Sequence, residues 1–259
     1  MAEYLLIGVI AFIVSLISGM LGLGGAIMLI PAYLYLPSLF GLNQLGIKNI
    51  SGMTSVQVFA ASLLGMLLHR KKKAFNKSVV FIVGIPIVIS SFAGAYLSGW
   101  VNPDLIISIF AFMATTGAVL ILFVRKTGKE NGEDLKDYNK FSAVIIGIMV
   151  GFFGGMAGAP GAFLLSPLLM VVLKIPVRVT IGSTLGIVLL ASFATSLGKI
   201  SSGIVPFDLT FVAILFSIPG VFIGSNLSHK FTTSALRWGL AFIVALMGLD
   251  MWFQILFQN

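Results

Sequence analysis

Residues 18–31 read SGMLGLGGAIMLIP and residues 154–167 read GGMAGAPGAFLLSP, with seven of the fourteen positions identical at a constant offset of 136. Each copy lies inside an over-long apolar stretch, residues 4–38 in one case and 141–173 in the other, and interrupts it with glycine: GLGG at 22–25 and GAPG at 158–161. At 1.5 Å per residue a continuous helix of ~34 residues would reach ~50 Å, far beyond the ~30 Å hydrocarbon core of a bilayer. The chain must therefore turn back at the glycines. Each stretch reads as a helical hairpin, with arms near 5–21 and 25–38 in the first and near 141–157 and 161–174 in the second.

Composition supplies the bilayer. Of 259 residues, 58% are hydrophobic and only 9% charged, with mean hydropathy +1.10, where a soluble domain carries about 25% charged residues. Further apolar runs at 50–69, 78–100, 104–124, 179–198, 207–228 and 234–257 each approach the length of a spanning helix. The net charge of +8 lies in loops between these runs, where it sets topology, so nucleic acid is not an expected partner. Cysteine is absent, which excludes disulfides and thiolate chemistry. The N-terminus has an acidic residue and no basic segment ahead of its apolar run, and it reads as a first membrane segment and not as a signal peptide.

The repeat extends beyond the hairpins. After a change in loop length the offset settles at 130, aligning Gly52, Thr54, Val58, Ala61 and Ser62 with Gly182, Thr184, Val188, Ala191 and Ser192, and later Gly94, Leu97 and Ser98 with Gly224, Leu227 and Ser228. The expected organisation is a first repeat at 1–124, a polar cytoplasmic linker at 125–140 and a second repeat at 141–259, forming one all-α membrane domain. Each repeat is then a glycine-broken hairpin followed by three transmembrane helices, an odd number of crossings, so the two insert with opposite orientation. Charge favours this inverted arrangement: with the 69–77 loop and the linker inside, 14 of the 16 basic residues face the cytoplasm and only Lys48 and Lys199 face out, against 11 and 5 for parallel repeats.

Hairpin tips expose helix N-termini, whose free N–H groups and partial positive charge suit an anion. The candidate ligands are therefore Gly22, Gly24, Gly25 and Ala26 at one tip and Gly158, Ala159, Gly161 and Ala162 at the other, opposed near the membrane midplane. The hydroxyl pairs Thr54 and Ser55, and Ser183 and Thr184, recur just after the hairpins. They serve either as helix caps or back-bonded residues, or as donors to an oxyanion. Ala11, Ser15 and Gly19 align with Gly147, Gly151 and Gly155, a small-residue stripe for close helix packing within the bundle or against a second subunit. Neither a nucleotide loop nor a metal pattern is present: no Lys-Ser or Lys-Thr follows the glycines, and His69 and His229 stand beside basic residues. Asp104 and Asp208 lie near helix starts, and Asp250 is the one acid well inside an apolar run.

The two hairpin motifs, the GMTS and GST segments that follow them and the twofold organisation resemble the TauE/SafE family of sulfite and organosulfonate exporters over nearly the whole chain. The resemblance implies a multi-pass transporter of the prokaryotic inner membrane, moving sulfite, thiosulfate, sulfoacetate or a related small inorganic or organosulfonate anion, with no cofactor and no enzymatic activity. Its motifs are backbone and hydroxyl features that fit any small oxyanion. The second tip departs from the glycine-rich pattern at Ala159 and Pro160, which leaves it fewer N–H donors. An importer or anion channel of the same class and a non-transporting membrane scaffold remain as alternatives, and a homodimer stays open.

Overall fold

The computed structural model describes residues 1–21, 25–42, 44–68, 76–123, 138–159 and 161–227. Among these residues the fold is all helical. The first hairpin is α1 (Ala2–Leu21) and α2 (Ala26–Leu39), followed by α3 (Ile47–Leu68), α4 (Lys77–Leu97) and α5 (Pro103–Phe123); the second is α6 (Lys140–Ala157) and α7 (Ala162–Val171), followed by α8 (Val177–Ser201) and α9 (Phe207–Leu227). Seven of these helices are long and apolar enough to cross a membrane. The expected span at 234–257, with Asp250, lies outside the described residues, as do most of the 69–77 loop and the linker.

Lipid tails are as apolar as leucine, so helices in a bilayer associate by close packing of small residues more than by burying greasy ones. Helix α4 displays the result: Phe81, Ile85, Ile89 and Phe92 face outward, while Val83, Ile87, Ser91, Gly94 and Ala95 are buried. The small-residue stripe of α6 is the surface that meets it. A Cβ added at Gly147 would stand 2.7 Å from the Val83 carbonyl oxygen, one at Gly151 the same distance from that of Ile87, and one at Gly155 would strike that of Ser91. The corresponding stripe of α1 meets α9, where a Cβ at Gly19 would lie 2.7 Å from the Val221 carbonyl oxygen and one at Gly220 would lie 2.6 Å from that of Phe12. Both stripes pack within the bundle.

These contacts fix helix direction. Residue numbers rise together along α1 and α9, and along α4 and α6, so each pair runs the same way. Ser91 and Gly198 place α4 and α8 in the same sense, the former donating to the Ala191 carbonyl at 3.4 Å and the latter packed against Phe92. Helix α3 runs against α8, touching it through Lys199 and Ser51 at one end and through Ser62 and Ser192, 3.1 Å apart, further along. It runs with α9, through Gly52 against Ile204 and then Gln57 against Ser217. Thus α1, α3 and α9 point one way, and α4, α6 and α8 the other.

Candidate functional site

The hairpins turn where expected because only glycine takes the required backbone without strain. Gly158 ends α6 at φ 74°, and Gly161 and Gly25 precede α7 and α2 at φ 61° and 67°. Gly158 also meets another helix: a Cβ there would collide with the carbonyl oxygen of Ser51 on α3. Gly158, Ala159 and Gly161 are all buried, and the Gly161 N–H bonds the Ala159 carbonyl, closing the loop on itself. Ala162 opens α7, and Ala26, buried, opens α2; Gly22 and Gly24 lie outside the described residues.

The tips do not stand side by side at the midplane. Helix α6 has 18 residues, about 27 Å, which is nearly a full crossing. Its end therefore reaches the level of the start of α3 and the ends of α4 and α8. Helix α1, 20 residues long, travels the opposite way beside α9, and its tip sits at the other end of the bundle. The hydroxyl pairs divide accordingly. Thr54 and Ser55 share a face of α3 with Ser51, the residue against Gly158, whereas the Ser183 hydroxyl accepts the Asn76 N–H at 3.3 Å, at the start of α4 and hence at the opposite end. Each tip level thus carries one of the two hydroxyl pairs, at opposite ends of the bundle.

Capping is not the role of these hydroxyls. Helices α3 and α8 begin at Ile47 and Val177, a turn or two earlier than the hydroxyl pairs suggest, because the weakly apolar segments IKNIS and VRVTI are already helical. Thr54 Oγ1 donates to the Ile50 carbonyl at 2.6 Å and Ser55 Oγ to that of Gly52 at 2.7 Å, the back-bonding expected inside a helix. Thr184 differs: it is 5% exposed, and its buried Oγ1 has no hydrogen-bond partner among the described residues. Between the two ends run further buried polar groups. Tyr33 Oη donates to Gln57 Oε1 at 2.9 Å and Gln57 Nε2 donates to Ser217 Oγ at 2.6 Å, linking α2, α3 and α9.

Lys199, which the charge count assigns to the outer side of the membrane, lies in the last turn of α8 and is fully buried. Its Nζ donates to Ser98 Oγ and the Met156 carbonyl, both at 2.7 Å, and to Ser51 Oγ at 2.9 Å. It therefore joins the last turn of α6 to α3, α4 and α8 beside the second tip. A lysine two residues from a helix end ordinarily extends its ammonium to the interface, so its burial could not be read from its position; the recurrence of Ser98 in the repeat was the available signal. Every other buried polar side chain among the described residues is a serine or threonine, apart from Gln57 and the partnered tyrosines. The described acids Glu3, Asp104 and Asp208 are none of them buried, and no group of three or more His, Asp or Glu could hold a metal among these residues. An open groove lined by Val80, Phe81, Gly84, Ile85 and Leu190 is apolar and belongs to the lipid face.

A family model described as sulfite exporter TauE/SafE matches residues 7–251. Among similar proteins are the Probable membrane transporter protein YdhB of Bacillus subtilis (strain 168), 26% identical over 249 residues and covering 95% of this chain and 98% of that one. A protein of the same description from Methanocaldococcus jannaschii is 23% identical, covering 94% and 93%. The Probable membrane transporter protein YunE of Bacillus subtilis (strain 168) is 23% identical, covering 99% and 100%. No solved structure matches the chain.

Proposed function

We propose, from the premise that the chain belongs to the sulfite exporter TauE/SafE family, that it carries small sulfur-containing oxyanions such as sulfite, thiosulfate or sulfoacetate out across the membrane. That it is a multi-pass membrane transporter follows from the family and from the seven spanning helices. The substrate and the path are the proposal. The observation that carries them is the sign of the interior: its polar side chains are hydroxyls, an amide and one ammonium, with no buried acid among the described residues. Such an interior donates hydrogen bonds to an anion and offers a cation no counter-charge.

The pathway runs from one hairpin tip to the other. One end offers Gly22, Gly24, Gly25 and Ala26 with Ser183 and Thr184, and the other Gly158, Ala159, Gly161 and Ala162 with Thr54 and Ser55. Gln57, Ser62, Ser192 and Ser217 lie between. Tips at opposite ends are what inverted repeats require, and the helix directions support that reading, since α1, α3 and α4 each run opposite to their repeat partners α6, α8 and α9. Single cysteines introduced at positions 72 and 232 then label from the same side of the membrane and one at 203 from the other; labelling of 72 and 232 from different sides contradicts inversion. The function itself is tested by a binding screen of purified protein with sulfite, sulfate, thiosulfate, sulfoacetate and taurine. Saturable binding of at least one sulfur oxyanion is expected, and binding of none contradicts the reading.

A further inference from the structure

Lys199 is a buried amine for which the described structure supplies no anion. Burying an ammonium is costly unless it is paired, and a lysine this close to the end of α8 could reach water; it points inward instead, and its three hydrogen bonds all go to uncharged oxygens. A second ammonium is drawn to the same place. Lys48, half-buried, donates through Nζ to the Gly99 carbonyl at 2.8 Å, one residue beyond the serine that holds Lys199. Two lysines therefore converge on the end of α4, and Ser51, which holds one of them, lies against the buried tip glycine Gly158, with no buried acid among the described residues.

The constellation also recurs in sequence. At the two offsets of the repeat, Met156 corresponds in sequence to Met20, Ser98 to Ser228 and Lys199 to His69, while Ser51 corresponds to Ile181, so the constellation recurs in part and with a protonatable residue in place of the lysine.

We propose that Lys199, with Lys48 at its rim, is the counter-charge of an anion site at the second hairpin tip and selects dianionic oxyanions over monoanionic ones. An oxyanion is a stronger partner for an ammonium N–H than a serine hydroxyl or a peptide carbonyl. An arriving dianion therefore takes over a donor from Ser98 or Met156, and the ion pair replaces a cation held by neutral groups. The inference rests on the proposed function, since it presumes that sulfur oxyanions are the cargo.

The test compares thiosulfate, a dianion, with isethionate, a monoanionic sulfonate, in proteoliposomes bearing the wild type, Lys199→Gln or Lys199→Arg. Glutamine keeps hydrogen-bonding capacity and removes the charge. It is expected to raise the KM for thiosulfate roughly ten- to a hundredfold and that for isethionate less, while arginine retains the preference for thiosulfate. An unchanged ratio of the two KM values in Lys199→Gln overturns the inference. If the glutamine variant does not reconstitute, Ser98→Ala carries the test by freeing one Lys199 donor: a lower thiosulfate KM supports the site, and an unchanged KM with reduced thermal stability assigns Lys199 to holding the helices together and overturns it. A wild type that moves isethionate as well as or better than thiosulfate also overturns the inference, whereas one that binds none of the screened sulfur oxyanions refutes the proposed function itself, an outcome separate from any change in the ratio.

Discussion

Gly158 and Gly203 have nearly the same backbone, φ 74° and 72°, and opposite surroundings. A Cβ at Gly203 meets nothing within 4 Å, whereas one at Gly158 collides with Ser51. Alanine at 203 should therefore cost only the left-handed strain of about 1 kcal/mol, while alanine at 158 adds a backbone collision that moves the tip off α3. Thermal unfolding in detergent reads the difference, and equal losses for the two variants would show that the tip is not held against α3. Bulk at Gly25 or Gly161 is a poorer probe of ligand contact, because Ser18 and Val150 already occupy the space a side chain needs. Thr184 allows a cleaner separation. Its buried, unpartnered hydroxyl carries a desolvation cost of about 1–3 kcal/mol, so Thr184→Val should hold or raise the melting temperature. If the hydroxyl serves the anion, the same variant weakens oxyanion affinity about tenfold. Unchanged affinity would remove Thr184 from the site.

The element that most constrains the interior is the link from α2 through α3 to α9. Tyr33, Gln57 and Ser217 are all buried, and the amide bridges the other two. Gln57→Leu leaves the tyrosine hydroxyl without its partner and should cost about 1–3 kcal/mol, part of which returns in Gln57→Leu with Tyr33→Phe. Strict additivity in that cycle would mean the bond contributes nothing. Individual elements were well marked in the sequence. Hairpin arms expected at 5–21 and 141–157 appear as Ala2–Leu21 and Lys140–Ala157, since an apolar run too long for the bilayer and a glycine turn leave one arrangement. The starts of α3 and α8 were less legible, because their first turns carry lysine, asparagine and arginine, which hydropathy reads as loop but a helix accommodates.

At the scale of the molecule, the hairpin of each repeat packs on a helix of the other: α1 along α9, and α6 along α4. This exchange makes the tip of one repeat a neighbour of polar residues in the other, and no one-dimensional pattern reveals it. The expected hydroxyls were visible in the sequence; that Ser51 meets Gly158 while Lys199 turns inward depends on which helices cross, which is decided by small-residue surfaces far apart in the sequence. The described interior has no buried acid, and on the proposed function the membrane potential drives the anion outward. Each negative charge leaving a cytoplasm held negative gains about 2.3 kcal/mol per 100 mV. The decisive measurement is thiosulfate flux from proteoliposomes under an imposed potassium diffusion potential, with the pH equal on both sides. The account predicts saturable efflux that accelerates as the interior is made more negative. Flux no greater than from protein-free vesicles, or flux that ignores the potential and follows only an imposed pH gradient, would contradict it.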